Sequence, residues 1–361
     1  MFAVILAGGA GTRLRPLTYA RRKELVPLLN RPLLEYRLLN LREHGVTDIV
    51  LACSQGMREV EEHFGDGSAL QIRLQYSYED RPLGSGRAVK EAARFGGASG
   101  TLVVCNGDIL TNIDLAAMIE RHRRTGATLS MSLARVHDPW TYGVAEVDGD
   151  LRILSFVEKP PRGEEPSDLI NGGTWLWEPE MLDRIPDDET AVRDGFSERV
   201  LFPGIIADGL HAQGFEEDLW VDVGSPDRYL TATRLLLDRT MGELGAEVAL
   251  GEGVSVADDV EFDGHVLVGP GATIGKGAHI SGPTVIGHDT TIGAGATIVG
   301  SVIWEEARIG ARARVAGSIV AAYAGIGDGA IVTDAVLGNG AEVDEGHVLE
   351  PGAKVMPGDR V

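Results

Sequence analysis

Val285-Ile286-Gly287-His288-Asp289-Thr290-Thr291-Ile292-Gly293-Ala294-Gly295-Ala296-Thr297-Ile298 places an aliphatic residue at every sixth position, with glycine directly after two of the three. The beat extends in both directions. Upstream it runs through Val248, Val254, Val260 and Val266, then Val268, Ile274 and Ile280. Downstream, after a five-residue step, it resumes at Ile303, Ile309 and Val315, then at Val320, Ile326 and Val332, and last at Leu337, Val343, Leu349 and Val355. A period of six matches neither the 3.6 of a helix nor the 2 of an alternating strand. It matches a solenoid in which each hexapeptide supplies one short strand and one turn, three to a triangular coil. Ile286, Ile303, Val320 and Leu337 lie 17 residues apart, one coil written as steps of six, six and five. The aliphatic residue points inward, and glycine is expected to permit the tight corner. Of the 48 glycines, 22 fall in 246–361, less than a third of the chain.

This pattern resembles the left-handed parallel β-helix of hexapeptide-repeat proteins, with roughly six coils over 246–361. Residues 1–245 are written differently. Apolar strand-like runs at 2–7, 48–53, 72–76, 101–105 and 127–133 alternate with helix-like stretches at 32–43, 86–95 and 115–124. Alternation of this kind predicts an α/β layer on a mostly parallel, mixed sheet of Rossmann-like type, with ligands beyond the carboxyl ends of the strands. A further helix at 226–244 leads into the solenoid. The expected organisation is therefore a first domain over 1–245 and a β-helix over 246–361.

Lys and Arg total 33 against 54 Asp and Glu, a net charge of −21 in 361 residues. Such a field repels nucleic-acid backbones and anionic membrane surfaces, so neither is an expected partner. A phosphate-bearing substrate would need a local basic cluster. The two cysteines, Cys53 and Cys105, each close an apolar run and read as buried strand thiols rather than a disulfide or zinc site. The apolar start, Met1 to Ala7, lacks a basic flank, and no run approaches membrane-spanning length; a cytoplasmic protein is expected.

The basic cluster follows the first strand. Gly8-Gly9-Ala10-Gly11-Thr12-Arg13-Leu14-Arg15 is followed by Arg21, Arg22 and Lys23. It is neither a Walker loop nor a dinucleotide fingerprint. Backbone amides with guanidinium groups do make a polyphosphate cradle. The run Leu6-Ala7-Gly8-Gly9-Ala10-Gly11-Thr12-Arg13-Leu14-Arg15-Pro16-Leu17-Thr18, with Lys23 and Pro27 after it, resembles the signature of sugar-1-phosphate nucleotidylyltransferases. Later motifs agree in order: Pro82-Leu83-Gly84-Ser85, Asn106-Gly107-Asp108, Tyr142-Gly143-Val144, Glu158-Lys159-Pro160, Asn171-Gly172-Gly173 and Trp220-Val221-Asp222-Val223-Gly224-Ser225-Pro226. The likeness covers about 1–240, and many members carry a hexapeptide β-helix behind it.

The resemblance implies roles. Leu6, Ala7, Gly8, Gly9, Gly11, Thr12, Arg13, Lys23, Glu79, Gly84 and Asp108 would bind the nucleotide. Gly143, Glu158, Lys159 and Asn171 would bind the sugar phosphate, and Asp108 and Asp222 would hold Mg²⁺. Arg13, Lys23, Asp108, Lys159 and Asp222 would carry catalysis, in which two anions are brought together by charge neutralisation and positioning. Relatives that use uracil or thymine carry a glutamine five residues before the base-contacting glycine. That offset from Gly84 falls on Glu79, and a carboxylate only accepts, which suits guanine N1–H and N2–H₂. GTP is therefore expected, and with it mannose-1-phosphate. A glucose-1-phosphate thymidylyl- or uridylyltransferase is the alternative, and a non-catalytic regulatory subunit or an acyltransferase solenoid are the rivals. Arg22 and Glu24 stand where prolines are common. Arg87 stands where a small residue or Asp is common, so it would narrow the base pocket, add a phosphate contact or lie in solvent. The faces and open ends of the solenoid point to a homo-oligomer.

Overall fold

The strand Phe2–Ala7 is hydrogen-bonded on both sides in parallel register, to Asp48–Cys53 and to Leu102–Asn106. Its near-continuous aliphatic run is the signature of a strand buried on both faces. The chain is described here from a computed structural model, which describes residues 1–192 and 195–361. The nine-stranded sheet runs Ile153–Glu158, Gly143–Val147, Leu169–Trp177, Leu102–Asn106, Phe2–Ala7, Asp48–Cys53, Arg73–Tyr78; Leu129–Arg135 also pairs with Leu169–Trp177 and carries Ala212–Glu216 at its other edge. Leu169–Trp177 is antiparallel to Leu102–Asn106, so the sheet is mixed, as expected.

The helix Ser85–Gly96 lays Ala88, Val89, Ala92 and Ala93 on this sheet, small residues that let backbone approach backbone. Helix Leu115–Thr125 opens with the Asp114 carboxylate accepting from Ala117 N–H at 2.9 Å and closes at Gly126 in the left-handed conformation. In the same core cluster as the Ser85–Gly96 helix, Trp175, Trp177 and Phe202 pack together, with ring centroids 5.6–6.5 Å apart. Cys53 and Cys105 are free, buried thiols. The helix expected from Pro32 begins at Leu33, because Arg31–Pro32 pairs instead with Pro27–Leu28 in a short ladder.

By packing, Met1–Gly9 with Leu34–Asp222 form one unit, and Ala10–Leu33 with Val223–Val361 form the other. In the second unit three wholly parallel sheets of seven, six and five strands run the length of the C-terminal region, consistent with a left-handed β-helix. Register confirms the beat: Ile286 pairs with Ile303, Ile303 with Val320 and Val320 with Leu337, each inside the core. The post-aliphatic glycines earn their place by a mechanism other than corner geometry. A Cβ at Gly269, Gly275, Gly287, Gly293, Gly310 or Gly327 would stand 2.3–2.8 Å from backbone of the next coil. Along one corner, Ser301 N–H donates to Thr284 Oγ1, Ser318 N–H to Ser301 Oγ and Ala335 N–H to Ser318 Oγ, so buried amides are satisfied coil by coil. The helix Pro226–Leu244 buries Tyr229, Ala232, Thr233, Leu237 and Met241.

Candidate functional site

Leu6 and Ala7 end the central strand. Gly107 N–H donates to Leu6 O at 3.0 Å, so the turn carrying Asp108 is fastened to the strand that delivers Gly8 and Gly9. Gly11 has φ +58 and precedes the short 3-10 turn Thr12–Leu14; its carbonyl accepts from Thr18 Oγ1 at 2.7 Å. A Cβ there would lie 3.0 Å from Thr18 Cγ2 and 3.4 Å from Lys23 Cβ, so the glycine lets Lys23 fold against the loop. Lys23 is buried and Arg13 exposed. Two bases of the cluster are engaged by other protein groups. Arg15 lies 4.7 Å over the Tyr19 ring, and Arg21 is taken up by Glu305 and the Trp304 ring, which removes it from the expected phosphate set.

At the edge of the sheet Glu79 N–H donates to Cys53 O, and its Oε2 accepts from Leu83 N–H at 2.9 Å. Glu79 thus shapes the 79–84 turn, and burial pushes its carboxyl up from the ordinary value. Gly84, with φ +76, leads into the helix Ser85–Gly96. Arg87 is turned to neighbouring protein groups rather than to solvent. It donates to Pro186 O and Asp187 Oδ1, both at 3.0 Å, and pairs with Glu91 at 2.6 Å.

Asp108 follows Asn106-Gly107 and directly precedes the strand Ile109–Thr111, which is antiparallel to Trp220–Asp222 with Asp222 opposite Ile109 and Trp220 opposite Thr111. The ladder therefore brings the backbone of Asp222 within one position of Asp108, which lies in the turn just before its strand; both residues are half-buried. Among the described residues there is no group of three or more His, Cys, Asp or Glu able to hold a metal. Two hard oxygen donors, with the remaining positions filled by phosphate and water, are what Mg²⁺ commonly accepts, so the pair fits that ion.

The candidate sugar-phosphate residues gather on adjoining strands. Glu158 is the register partner of Gly143, and a Cβ at Gly143 would stand 2.7 Å from Glu158 Oε2. Lys159, at φ +51, donates its N–H to Tyr142 O at 2.9 Å, and its Nζ lies 3.7 Å from Glu158 Oε1. Asn171 Oδ1 accepts from Gly173 N–H and from Trp175 Nε1, which leaves the amide nitrogen as its remaining hydrogen-bonding group. Trp220 joins the two clusters. Its Nε1 donates to Gly172 O at 3.0 Å, and its ring meets Tyr142 edge to face at 5.2 Å.

Two polar residues beside this site were not singled out from the sequence. Arg37, buried, donates to Thr174 Oγ1 at 3.1 Å, while its Nε and Nη2 have no hydrogen-bond partner. The Glu217 carboxylate accepts from the Thr111 hydroxyl, and its Oε1 is buried without a partner. Burial pushes Glu217 up to about 7, against the lowering effect of Thr111, Arg37 and Ser132.

A strand-end glycine loop, two neighbouring aspartates and a polar cluster around Glu158 and Asn171 on a mixed α/β sheet suit a nucleotide-handling class. Comparison places the chain within it: the family model described as Nucleotidyl transferase matches residues 2–239, and that described as GMPPB C-terminal domain matches 262–361. The chain belongs to the nucleotidyl transferase family, whose members bind a nucleoside triphosphate and a sugar-1-phosphate and generally use a divalent metal. It is 36% identical over 232 residues to a mannose-1-phosphate guanylyltransferase of Mycobacterium tuberculosis, covering 63% of this chain and 62% of that one. It is 35% identical over 287 residues to a UTP–glucose-1-phosphate uridylyltransferase of Synechocystis, 74% of this chain and 73% of that one. A Bacillus anthracis crystal structure assigned as a glucose-1-phosphate thymidylyltransferase shares the fold, with a TM-score of 0.60 at 24% identity over 65% of this chain and 94% of that one.

Proposed function

We propose that the protein joins GTP and mannose-1-phosphate into GDP-mannose and releases pyrophosphate. A phosphate oxygen of the sugar attacks the α-phosphorus in line, and the bond from that phosphorus to the β-bridging oxygen breaks. No covalent enzyme intermediate or general base is needed, because the attacking phosphate monoester is already an anion at neutral pH. The observation that carries this reading is the ladder register that sets Asp222 beside Asp108. Those two carboxylates would hold Mg²⁺, which when bound neutralises phosphate charge. Arg13 and Lys23 would offset the charge of the triphosphate and of the departing pyrophosphate. Lys159 would hold the sugar phosphate, while Glu158 and the Asn171 amide nitrogen would meet sugar hydroxyls.

The choice of GTP rests on Glu79. With Oε2 engaged by Leu83, the Oε1 atom is the one that would accept from the guanine edge. Guanylyltransferase relatives, including one of Aspergillus fumigatus 35% identical over 248 residues, support the same base and sugar. The reverse reaction tests both assignments. Labelled pyrophosphate should yield labelled GTP from GDP-mannose; labelled UTP or dTTP from the corresponding glucose nucleotides would replace this reading with the uridylyl or thymidylyl alternative. Assembly of the solenoid into a homo-oligomer and a cytoplasmic location belong to the same proposal. Among the described residues, no helix is long and apolar enough to cross a membrane.

A further inference from the structure

Three contacts fasten the segment that carries Lys23 to the solenoid, all within the C-terminal unit. Arg21 pairs with Glu305, and its guanidinium lies 5.0 Å from the centre of the Trp304 ring. Pro27 O accepts from the Tyr229 hydroxyl at 2.5 Å, and that hydroxyl accepts from Trp304 Nε1–H at 3.0 Å. Asn30 Nδ2 donates to Ile286 O at 3.0 Å. Ile286 and Ile303 are register partners, so the anchors sit on two adjacent coils.

The repeat itself marks the place. The residue after the inward aliphatic is Gly287 in one coil and Gly338 in another, but Trp304 after Ile303. A tryptophan there is no requirement of the solenoid, which fills that position with Gly251, Gly269, Gly287, Ala321 and Gly338 in other coils and with Met356 in the last. Trp304 is nevertheless 1% exposed, between the Tyr229 hydroxyl and the Arg21 guanidinium. The side chains of Arg21 and Glu305 are 22% and 13% exposed, enough shielding for the pair to resist screening by salt.

The Lys23–Leu25 turn lies between these anchors, Arg21 two residues before it and Pro27 two residues after it. We propose that Trp304 and Glu305 are positioning residues for the nucleotide: through Arg21 and Tyr229 they hold the segment that presents Lys23 to the triphosphate. The proposal rests on the reading of Lys23 as a triphosphate ligand given above. A lysine already fixed in place gives up little freedom on binding, and that saving appears as nucleotide affinity. The solenoid then has a part in substrate binding in addition to any part in assembly.

The test uses the full chain with Glu305→Gln, which keeps shape and removes charge, and Trp304→Phe, which keeps a ring and removes the N–H. Two readouts are taken. Without nucleotide, hydrogen exchange in peptides covering 10–33 should quicken several-fold in both variants, with the Tm unmoved in Glu305→Gln and lowered in Trp304→Phe by the cavity its smaller ring leaves. In steady state, KM for the nucleotide should rise about three- to tenfold, the effect of losing one partly buried contact, with KM for the sugar phosphate unchanged. Arg21→Ala combined with Glu305→Gln should be no worse than the more affected single variant. Faster exchange with unaltered nucleotide KM would overturn the positioning role, as would equal rises in both KM values or no change in either readout. Wild-type protein inert toward every triphosphate would instead defeat the reading of the site on which the role depends.

Discussion

Glu217→Gln should change how stability depends on pH. The carboxyl is held protonated by burial, with its titration moved from 4.5 to about 7. Below pH 4.5 it is protonated in the folded and unfolded chains alike and costs nothing. As pH rises further, the unfolded chain ionises while the folded chain keeps its proton, so stability falls until the folded group has titrated as well. At ~1.4 kcal/mol per pH unit, the interval comes to about 3 kcal/mol lost by pH 8. Glutamine retains an acceptor for the Thr111 hydroxyl and carries no charge, so the variant should lack this slope. Urea unfolding followed by tryptophan fluorescence suits the question, because Trp140, Trp175, Trp177 and Trp220 lie in the same unit as Glu217 and only Trp304 lies in the other. Relative to the variant, the wild type should lose about 3 kcal/mol between pH 4.5 and 8. A difference between the two that stays flat over this range would refute the reasoning. A wild type that gains on the variant as pH rises would show that Arg37 keeps the carboxylate ionised in the fold.

Other outcomes follow from the same geometry. Asp108→Asn and Asp222→Asn should each lower kcat/KM by roughly a hundredfold or more, and the double variant should fall little further, since both serve one ion. Trp220→Phe, which deletes the donor to Gly172 O, should raise KM for the sugar phosphate about fivefold and leave that for the nucleotide alone, as measured by initial rates. Glu79→Gln should lower the ratio of kcat/KM for GTP over UTP; an unchanged ratio would mean that Glu79 only shapes the turn to Leu83.

The solenoid was open to sequence reading because each coil repeats one decision: an aliphatic residue inward and a small residue where the next coil presses down. The central strands were legible for a related reason, since burial on both faces leaves a continuous apolar run such as Phe2 to Ala7. What escaped depends on partners remote in sequence. Arg21 reads as one more base in a cluster until Glu305, 284 residues away, claims it. Trp304 did carry a signal, as a tryptophan in a position filled by Gly287 and Ala321 in the neighbouring coils, but a reading that counts only the repeat passes over its exceptions. Glu217 sits in the acidic run Glu216-Glu217-Asp218, which reads as solvated surface, and only the strand crossing at Thr111 turns its carboxylate inward. In the candidate site, the motif residues showed which groups to examine, whereas the ladder between Ile109–Thr111 and Trp220–Asp222 showed why two aspartates distant in sequence become neighbours.

The most direct test of the whole reading is pyrophosphate release with Mg²⁺ across GTP, dTTP, UTP, ATP and CTP, each paired with mannose-1-phosphate and with glucose-1-phosphate. Release confined to GTP with mannose-1-phosphate is the expected result. Release with another pair and none with this one would contradict it.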